Sequence, residues 1–279
     1  MTPAQIAAIL IFAVTFVGIL SDKIHRTIVG AVGAVVMVAV GGAMDFYSEE
    51  EALEAVDFNT IGLLLGMMIL VGLLEQTGFF QYAAIIAGRW SKGSPWLLMV
   101  TLGTVTTVLS LFLDNVTTII LIAPITIWIA QTLGISPVPL LITNALLSNT
   151  GGVGTLVGDP PNIIIGSAAG FSFNDFLTHA LPIAFVAWLV VLITLRFVFR
   201  DQLAVRPTHI DALMDMHADE ALHDRGSLNR ILIVFAAVIA TFFLHNALHL
   251  SPAFVALAGA SAALLWVRPA IDKILETVE

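Results

Sequence analysis

Apolar runs of near-membrane length recur along the chain, at residues 5–20, 27–44, 60–74, 182–199, 231–244 and 252–267. A helix needs about 20 residues to cross a hydrocarbon core of ~30 Å, so each run, extended slightly into its flanks, predicts one spanning helix. Phe79–Trp90 is apolar but short, and reads as a partial or interfacial helix. Two longer regions break the pattern. Residues 95–133 are nearly two spans long, with Leu113-Asp114-Asn115-Val116-Thr117-Thr118 in the middle. Residues 139–169 are too long for one upright span at about 1.5 Å per residue, and they hold Gly151-Gly152 and Pro160-Pro161.

Composition turns these runs into a class. Of 279 residues, 58% are hydrophobic and 11% charged, and the mean hydropathy is +0.99. A soluble domain of this size could not bury so much apolar surface, so the chain is expected to be an all-α polytopic membrane protein. The net charge of −9 comes largely from two hydrophilic stretches, residues 45–57 and 201–224. It gives no reason to expect a nucleic-acid partner. Absence of cysteine excludes disulfides and thiolate metal sites. Residues 1–5 lack a basic segment, so the first apolar run reads as a retained helix and not as a cleaved signal.

Charge then orients the chain. Its basic residues are Lys23, Arg26, Arg89, Lys92, Arg196, Arg200, Arg206, Arg225, Arg230, Arg268 and Lys273. All fall on the cytoplasmic side if the N-terminus is outside, residues 95–133 enter and leave on one face, and residues 139–169 cross once. The expected location is the cell (inner) membrane, with residues 201–230 a solvated, partly helical cytoplasmic linker. His209, His217 and His223 in that linker fit no tight metal spacing.

An internal repeat is also visible. Ile9-Leu10-Ile11 recurs as Ile231-Leu232-Ile233; Val29, Gly33 and Ala34 recur as Val255, Gly259 and Ala260. Leu53-Glu54-Ala55-Val56 is echoed by Leu275-Glu276-Thr277-Val278. The first helical loop is expected inside and its counterpart outside, which makes the repeat inverted. The implied organisation has scaffold helices at 1–94, a transport part at 95–200, the linker at 201–230, and the first two helices of a second repeat at 231–279. That second repeat stops early, so a truncated chain is expected.

The two interruptions carry the chemistry. Irregular backbone and ionisable groups are tolerated in a bilayer only where protein or a water-filled cavity receives them. Residues 95–133 form either two full helices with an external turn or a re-entrant hairpin with its tip at Asp114-Asn115. The missing hydrophilic loop favours the hairpin, as do Thr101, Thr104, Thr106, Thr107 and Ser110 along the first arm. Asp114 can act simply as N-cap of the second arm, starting near Val116. A carboxylate at membrane depth costs ~2.5–3.5 kcal/mol, however, and Ser or Thr would cap without that cost, so a functional role is favoured.

In residues 139–169, a first half-helix is expected from Pro139 to Asn149, ending on a left-handed cap at Gly151-Gly152. Asp159 before Pro160-Pro161 reads as a helix start, and residues 163–169 as the second half-helix. Capping competes evenly with a site role for Asp159, and close backbone packing competes for the glycines and Thr155. Helix starts near mid-membrane favour an anion, while helix ends offer carbonyls to a cation. Asn115, Thr117, Thr118, Asn149, Thr150 and Thr155 add neutral oxygens or donors. The candidate substrate and ion site is Asp114, Asn115, Thr117, Thr118, Asn149, Thr150, Gly151, Gly152, Thr155, Asp159 and Asn162. Its Na⁺ ligands would be Asp114, Asn115, Gly151 and Thr155.

The motif at 113–118 with Ala123-Pro124-Ile125-Thr126, Ser148-Asn149-Thr150-Gly151-Gly152, and Val157-Gly158-Asp159-Pro160-Pro161-Asn162 resembles the signature of the ion transporter superfamily. The nearest branch holds the P protein, ArsB-type arsenite permeases and CitMHS-like citrate–metal transporters. NhaD-type antiporters and dicarboxylate carriers are more distant. The resemblance implies a homodimeric elevator-type transporter, with the hairpin tip and broken helix forming a cation site beside the substrate. A second hairpin and second broken helix, which such a transporter needs, are absent from this sequence.

The leading expectation is a secondary active transporter moving an inorganic or carboxylate anion, coupled to Na⁺ or H⁺, with no other cofactor. A Na⁺/H⁺ antiporter, and a non-transporting membrane module or half-transporter completed by a separately encoded second half, remain alternatives. An enzyme is not expected, since metalloprotease, nucleophile-elbow and paired intramembrane aspartate motifs are missing.

Overall fold

A computed structural model describes residues 1–21 and 23–269. The described residues are helical, without strands, and fall into two compact units, Met1–Asp57 and Phe58–Glu279. Six helical stretches among them are long and apolar enough to cross a membrane: Pro3–Leu20, Arg26–Ala43, Glu49–Gln76, Asn115–Thr132, Phe173–Val198 and Arg225–Leu244. The echo at Leu275–Val278 lies outside the described residues.

The first unit holds α1 (Pro3–Leu20), α2 (Arg26–Ala43) and the short α3 (Glu49–Glu54). A reciprocal cap starts α1: Thr2 Oγ1 accepts the Gln5 N–H at 3.3 Å and the Gln5 side chain accepts the Thr2 N–H at 3.0 Å. No residue of α1 is buried, and only Gly41 of α2 is. Helices that are apolar on every face and largely exposed suit a lipid surround. They pack where Gly33 meets Thr15.

The second unit contains α4 (Phe58–Gln76), α5 (Phe79–Trp90), α6 (Pro95–Ser110), α7 (Asn115–Thr132), α8 (Val138–Val153), α9 (Pro160–Ala169) and α10 (Phe173–Val198). It continues with α11 (Arg200–Leu203), α12 (Ile210–Met214), a 3₁₀ turn at Ala218–Ala221, α13 (Arg225–Leu244) and α14 (Pro252–Val267). Helix α4 pairs closely with α14 because neither has bulk at the contact. A Cβ on Gly66 would lie 2.6 Å from the Ala256 carbonyl carbon. Helices α13 and α14 cross where Gly259 backs onto Val238.

Contacts sort the helix ends into two sets. The linker α11–α12 and its 3₁₀ turn cover one set. Leu133 O accepts from Thr208 N at 3.2 Å and Thr77 O from His223 N at 3.0 Å; Arg196 lies 4.7 Å over the Trp96 ring. Leu213 and Ala218 are buried there, so this linker is packed as well as solvated. Helix α5 lies across that end, with Gly78 against Ala221 and Gly88 against Leu213. Far from it, Asn174 Nδ2 donates to Phe243 O at 3.0 Å, and Phe173 N to His245 Nε2 at 3.4 Å. His245 is only 8% exposed.

Helices α6 and α7 begin and end at the linker end. Their connection, with Leu113 and Asp114, faces Leu64, Met67, Met68 and Val71, the middle of α4. At 16 residues, α6 is about 24 Å long. The pair is a helical hairpin whose tip lies beside the middle of α4. Helix α8 starts at the linker end and, after a break, α9 reaches the far end at Gly170.

Local starts follow short-range chemistry. Ser172 and Asp175 form a capping box that starts α10 at Phe173, well before the apolar run at Pro182. Asp224 accepts from Gly226 N and Ser227 N and starts α13 at Arg225 instead of Ile231. Two expectations for the broken helix are corrected. Helix α8 does not stop at Asn149 on a left-handed glycine cap; it runs through Gly151 and Gly152 to Val153, and Gly154 keeps φ at −70°. The second half-helix starts at Pro160, where Asp159 before Pro-Pro reads as a helix start, and so includes three residues ahead of the expected bound at Ile163.

Candidate functional site

The hairpin tip and the break in the α8–α9 rod are hydrogen-bonded to each other. Ser110 Oγ donates to Ser148 O at 2.7 Å, and Ser148 Oγ to Asn115 O at 3.2 Å. Asn115 Nδ2 donates to Asn149 Oδ1 at 2.5 Å. Thr155 Oγ1 donates to Leu111 O and accepts the Gly158 N–H at 3.1 Å. Side-chain hydroxyls of Ser110, Ser148 and Thr155 thus bond backbone carbonyls across the two elements, and Thr155 also takes up the Gly158 N–H.

Glycines make the approach possible. A Cβ on Gly151 would strike Thr107 O; on Gly152 it would sit 2.9 Å from Gly158 O, and on Gly158 2.6 Å from Ser110 O. Gly151 and Gly152 are therefore needed for bare backbone contact, and no positive φ occurs at either. Asn162 holds the break from inside, its Nδ2 donating to Gly152 O at 2.9 Å and Thr155 O at 2.8 Å.

Asp114 is the N-cap of α7: its Oδ1 accepts the Thr117 N–H at 2.8 Å. The second oxygen and the half-buried position leave it directed at a cavity of about 30 Å³ shared with Thr117, Val157 and the middle of α4. That volume suffices for one water-sized occupant. Asp159 stands at the N-cap position of α9 yet makes no side-chain cap bond. Asp159 lies close enough to Asp114 to sense its charge. Two acids, Asn115, Asn149 and Asn162 are thereby gathered around the junction.

Other candidates are spent on packing. Thr118 Oγ1 donates to Asp114 O at 2.9 Å and Thr150 Oγ1 to Leu146 O at 2.8 Å, each back-bonded within its own helix. Gly151 is buried against the first hairpin arm. Ser110, Ser148 and Gly158 join the tip to the break but were not among the sequence candidates. Small residues facing each other across two helices were the available signal. Also missed was Asn144, fully buried, whose Nδ2 donates to Thr126 Oγ1 at 2.9 Å while its Oδ1 has no partner among the described residues. It ties α8 to α7 just past Pro124, on the linker side of the junction.

Known proteins match this arrangement over most of the sequence. The pattern of the citrate transporter (CitMHS) family fits residues 16–279. A Mycobacterium leprae protein called 46 kDa membrane protein is 41% identical over 259 residues, 92% of this chain and 60% of its own length. A Mycobacterium tuberculosis protein called an uncharacterized transporter is 41% identical over 277 residues, 99% of this chain and 64% of its own. The human P protein is 40% identical over 177 residues, 61% of this chain and 21% of its own. The chain spans under two thirds of the length of these relatives. Because the match runs through both interruptions and every helix from α2 onward, the chain belongs to the citrate transporter (CitMHS) family.

Proposed function

We propose that this chain supplies one hairpin and one broken helix to a secondary active transporter that moves a small carboxylate or inorganic anion coupled to Na⁺ or H⁺. One observation carries the reading: two polar helix ends meet beside the middle of α4, bringing Asp114, Asn115, Asn149, Asp159 and Asn162 together. Helix starts at α7 and α9 favour an anion there, and the ends of α6 and α8 favour a cation. Asp114 with the Asn115 carbonyl region is the proposed cation position, and Asn149 and Asn162 lie on the solute side. Gly151 and Thr155 shape the cation position through backbone and not through the Thr155 hydroxyl, which is already bonded. Rigid bonding of hairpin to broken helix suits their movement as one body, as an elevator mechanism needs. A homodimer, in the inner membrane with the basic linker end cytoplasmic, belongs to the same proposal.

Reconstitution into vesicles tests it. Labelled citrate should accumulate only when a Na⁺ or H⁺ gradient is imposed, from the chain alone or together with a segment supplying a second hairpin and broken helix. Gradient-independent leak in both preparations, or no uptake in either, removes the reading. The paired acids Asp114 and Asp159 favour a second reading, Na⁺/H⁺ exchange. Sodium-driven proton flux undiminished when every anion substrate is withheld would select it.

A further inference from the structure

At the end far from the linker lies a second cavity, of about 260 Å³, with Asn59, Leu63, Leu156, Ser167, Ser172, His245 and Ser251 in its wall. Three helices, α4, α10 and α14, point their N-terminal ends into this region, and no lining residue is a carboxylate. Asp175, the nearest acid on α10, is turned onto Ser172, whose N–H and hydroxyl it accepts at 2.7 and 2.6 Å.

His245 supplies the specific group. It is 8% exposed, and burial pushes its pKa down, which keeps the ring neutral. Its Nε2 accepts from Phe173 N, so the ring proton sits on Nδ1. No acceptor for that donor occurs among the described residues. An unpaired donor on a largely buried ring, facing this mostly apolar cavity, can take an acceptor from outside.

Beneath this cavity is the junction. Leu63 and Leu156 line its floor, while their sequence neighbours Leu64 and Val157 line the small cavity of Asp114. Both leucines are almost fully buried, at 1% and 3% exposure, and form an apolar layer one residue thick. We propose that the far-end cavity is a waiting site for a small carboxylate, held by His245 Nδ1 and the helix N-terminal ends and separated from Asp114 by Leu63 and Leu156. This rests on the anion-transport reading, but it concerns a different set of residues.

Lack of cysteine makes a direct test available. In the full chain, Ser167→Cys places one thiol in the cavity wall, and Ser227→Cys places one at the linker end as a control. Citrate should slow maleimide labelling of the first at least fivefold and leave the second unchanged. In the same background His245→Phe should raise the citrate concentration for half-protection about tenfold, and His245→Gln, which keeps a donor and an acceptor, should restore it. Asp114→Asn should leave protection intact even where it abolishes coupled uptake. Absence of protection by citrate, or protection lost with Asp114→Asn and untouched by His245→Phe, overturns the waiting site. The first result leaves the transport reading to the vesicle assay, which reports independently of labelling.

Discussion

Asp114 performs two tasks that substitution can separate. As N-cap it accepts the Thr117 N–H, and Asn caps a helix about as well as Asp. Asp114→Asn should therefore keep the hairpin folded while deleting the charge. Uptake should lose its dependence on the cation gradient at least tenfold, with thermal stability in detergent unchanged; unaltered coupling would take Asp114 out of the site. Asp114→Ala removes the cap as well and should cost about 1 kcal/mol more. Thr155 is the opposite case, a residue whose hydroxyl is fully engaged in structure. Thr155→Val leaves a buried carbonyl and a buried N–H without partners, a loss of about 2–4 kcal/mol. Thr155→Ser should recover most of it in the same unfolding measurement. At the membrane edge, hydrogen bonds from Ser227 and then from backbone hold the Asp224 carboxyl below its ordinary 3.8. A lowered folded pKa means the cap is complete above that value and fades as pH falls through it. Hydrogen exchange in the first turn of α13 should accelerate with acidification there, and Asp224→Asn should remove the dependence.

Helices and their junctions fix which parts of this fold could be read from residues. The starts of α1, α6, α10 and α14 are written locally, as Thr or Ser caps with Pro or an acid in the first turn. The two polar strings identified the hairpin tip and the break for a comparable reason: apolar periodicity stops there. What could not be read was the use of Gly151 and Gly152. Glycine at a left-handed cap and glycine at a backbone crossing look alike in sequence, and only distant atoms, Thr107 O and Gly158 O, decide between them. The same limit hid the bonds of Ser110 and Ser148, which exist only once two helices are placed side by side. It also hid the burial of His245, which depends on Phe173, 72 residues away. Contact between bare backbones at the junction predicts low tolerance of any side chain. Gly158→Ala would bring a methyl within 2.6 Å of Ser110 O, and overpacking of this kind costs about 1–3 kcal/mol. A larger effect is expected on coupled uptake than on expression, because the added methyl would wedge the tip away from the break while α6 and α8 remain packed lower down.

Across the second unit, the hairpin and the α8–α9 rod define how deep the junction lies. Thr208 and Ile210 of the linker touch Leu133 and Gly93, so both hairpin arms open at the linker end. The basic residues Arg89, Lys92, Arg196, Arg200, Arg206, Arg225, Arg230 and Arg268 sit on helix ends or loops of that same end, where a cytoplasmic surface would collect them. Single cysteines in this cysteine-free chain convert the arrangement into an observable. Ser94→Cys and Ser136→Cys, at the two feet of the hairpin, should react with a membrane-impermeant maleimide from the same side as Ser227→Cys. Asn246→Cys should react only from the other. Val116→Cys at the tip discriminates most sharply, since two full helices with an aqueous turn would expose it on the Asn246 side as fast as Asn246 itself. A tip beside the middle of α4 would lie at mid-bilayer depth, where the 62% exposed Val116 would meet lipid or protein and not water. It should therefore label at least tenfold more slowly from either side. Rapid labelling of Val116→Cys from the Asn246 side would place Asp114 at a water surface and dissolve the buried junction on which ion coupling depends.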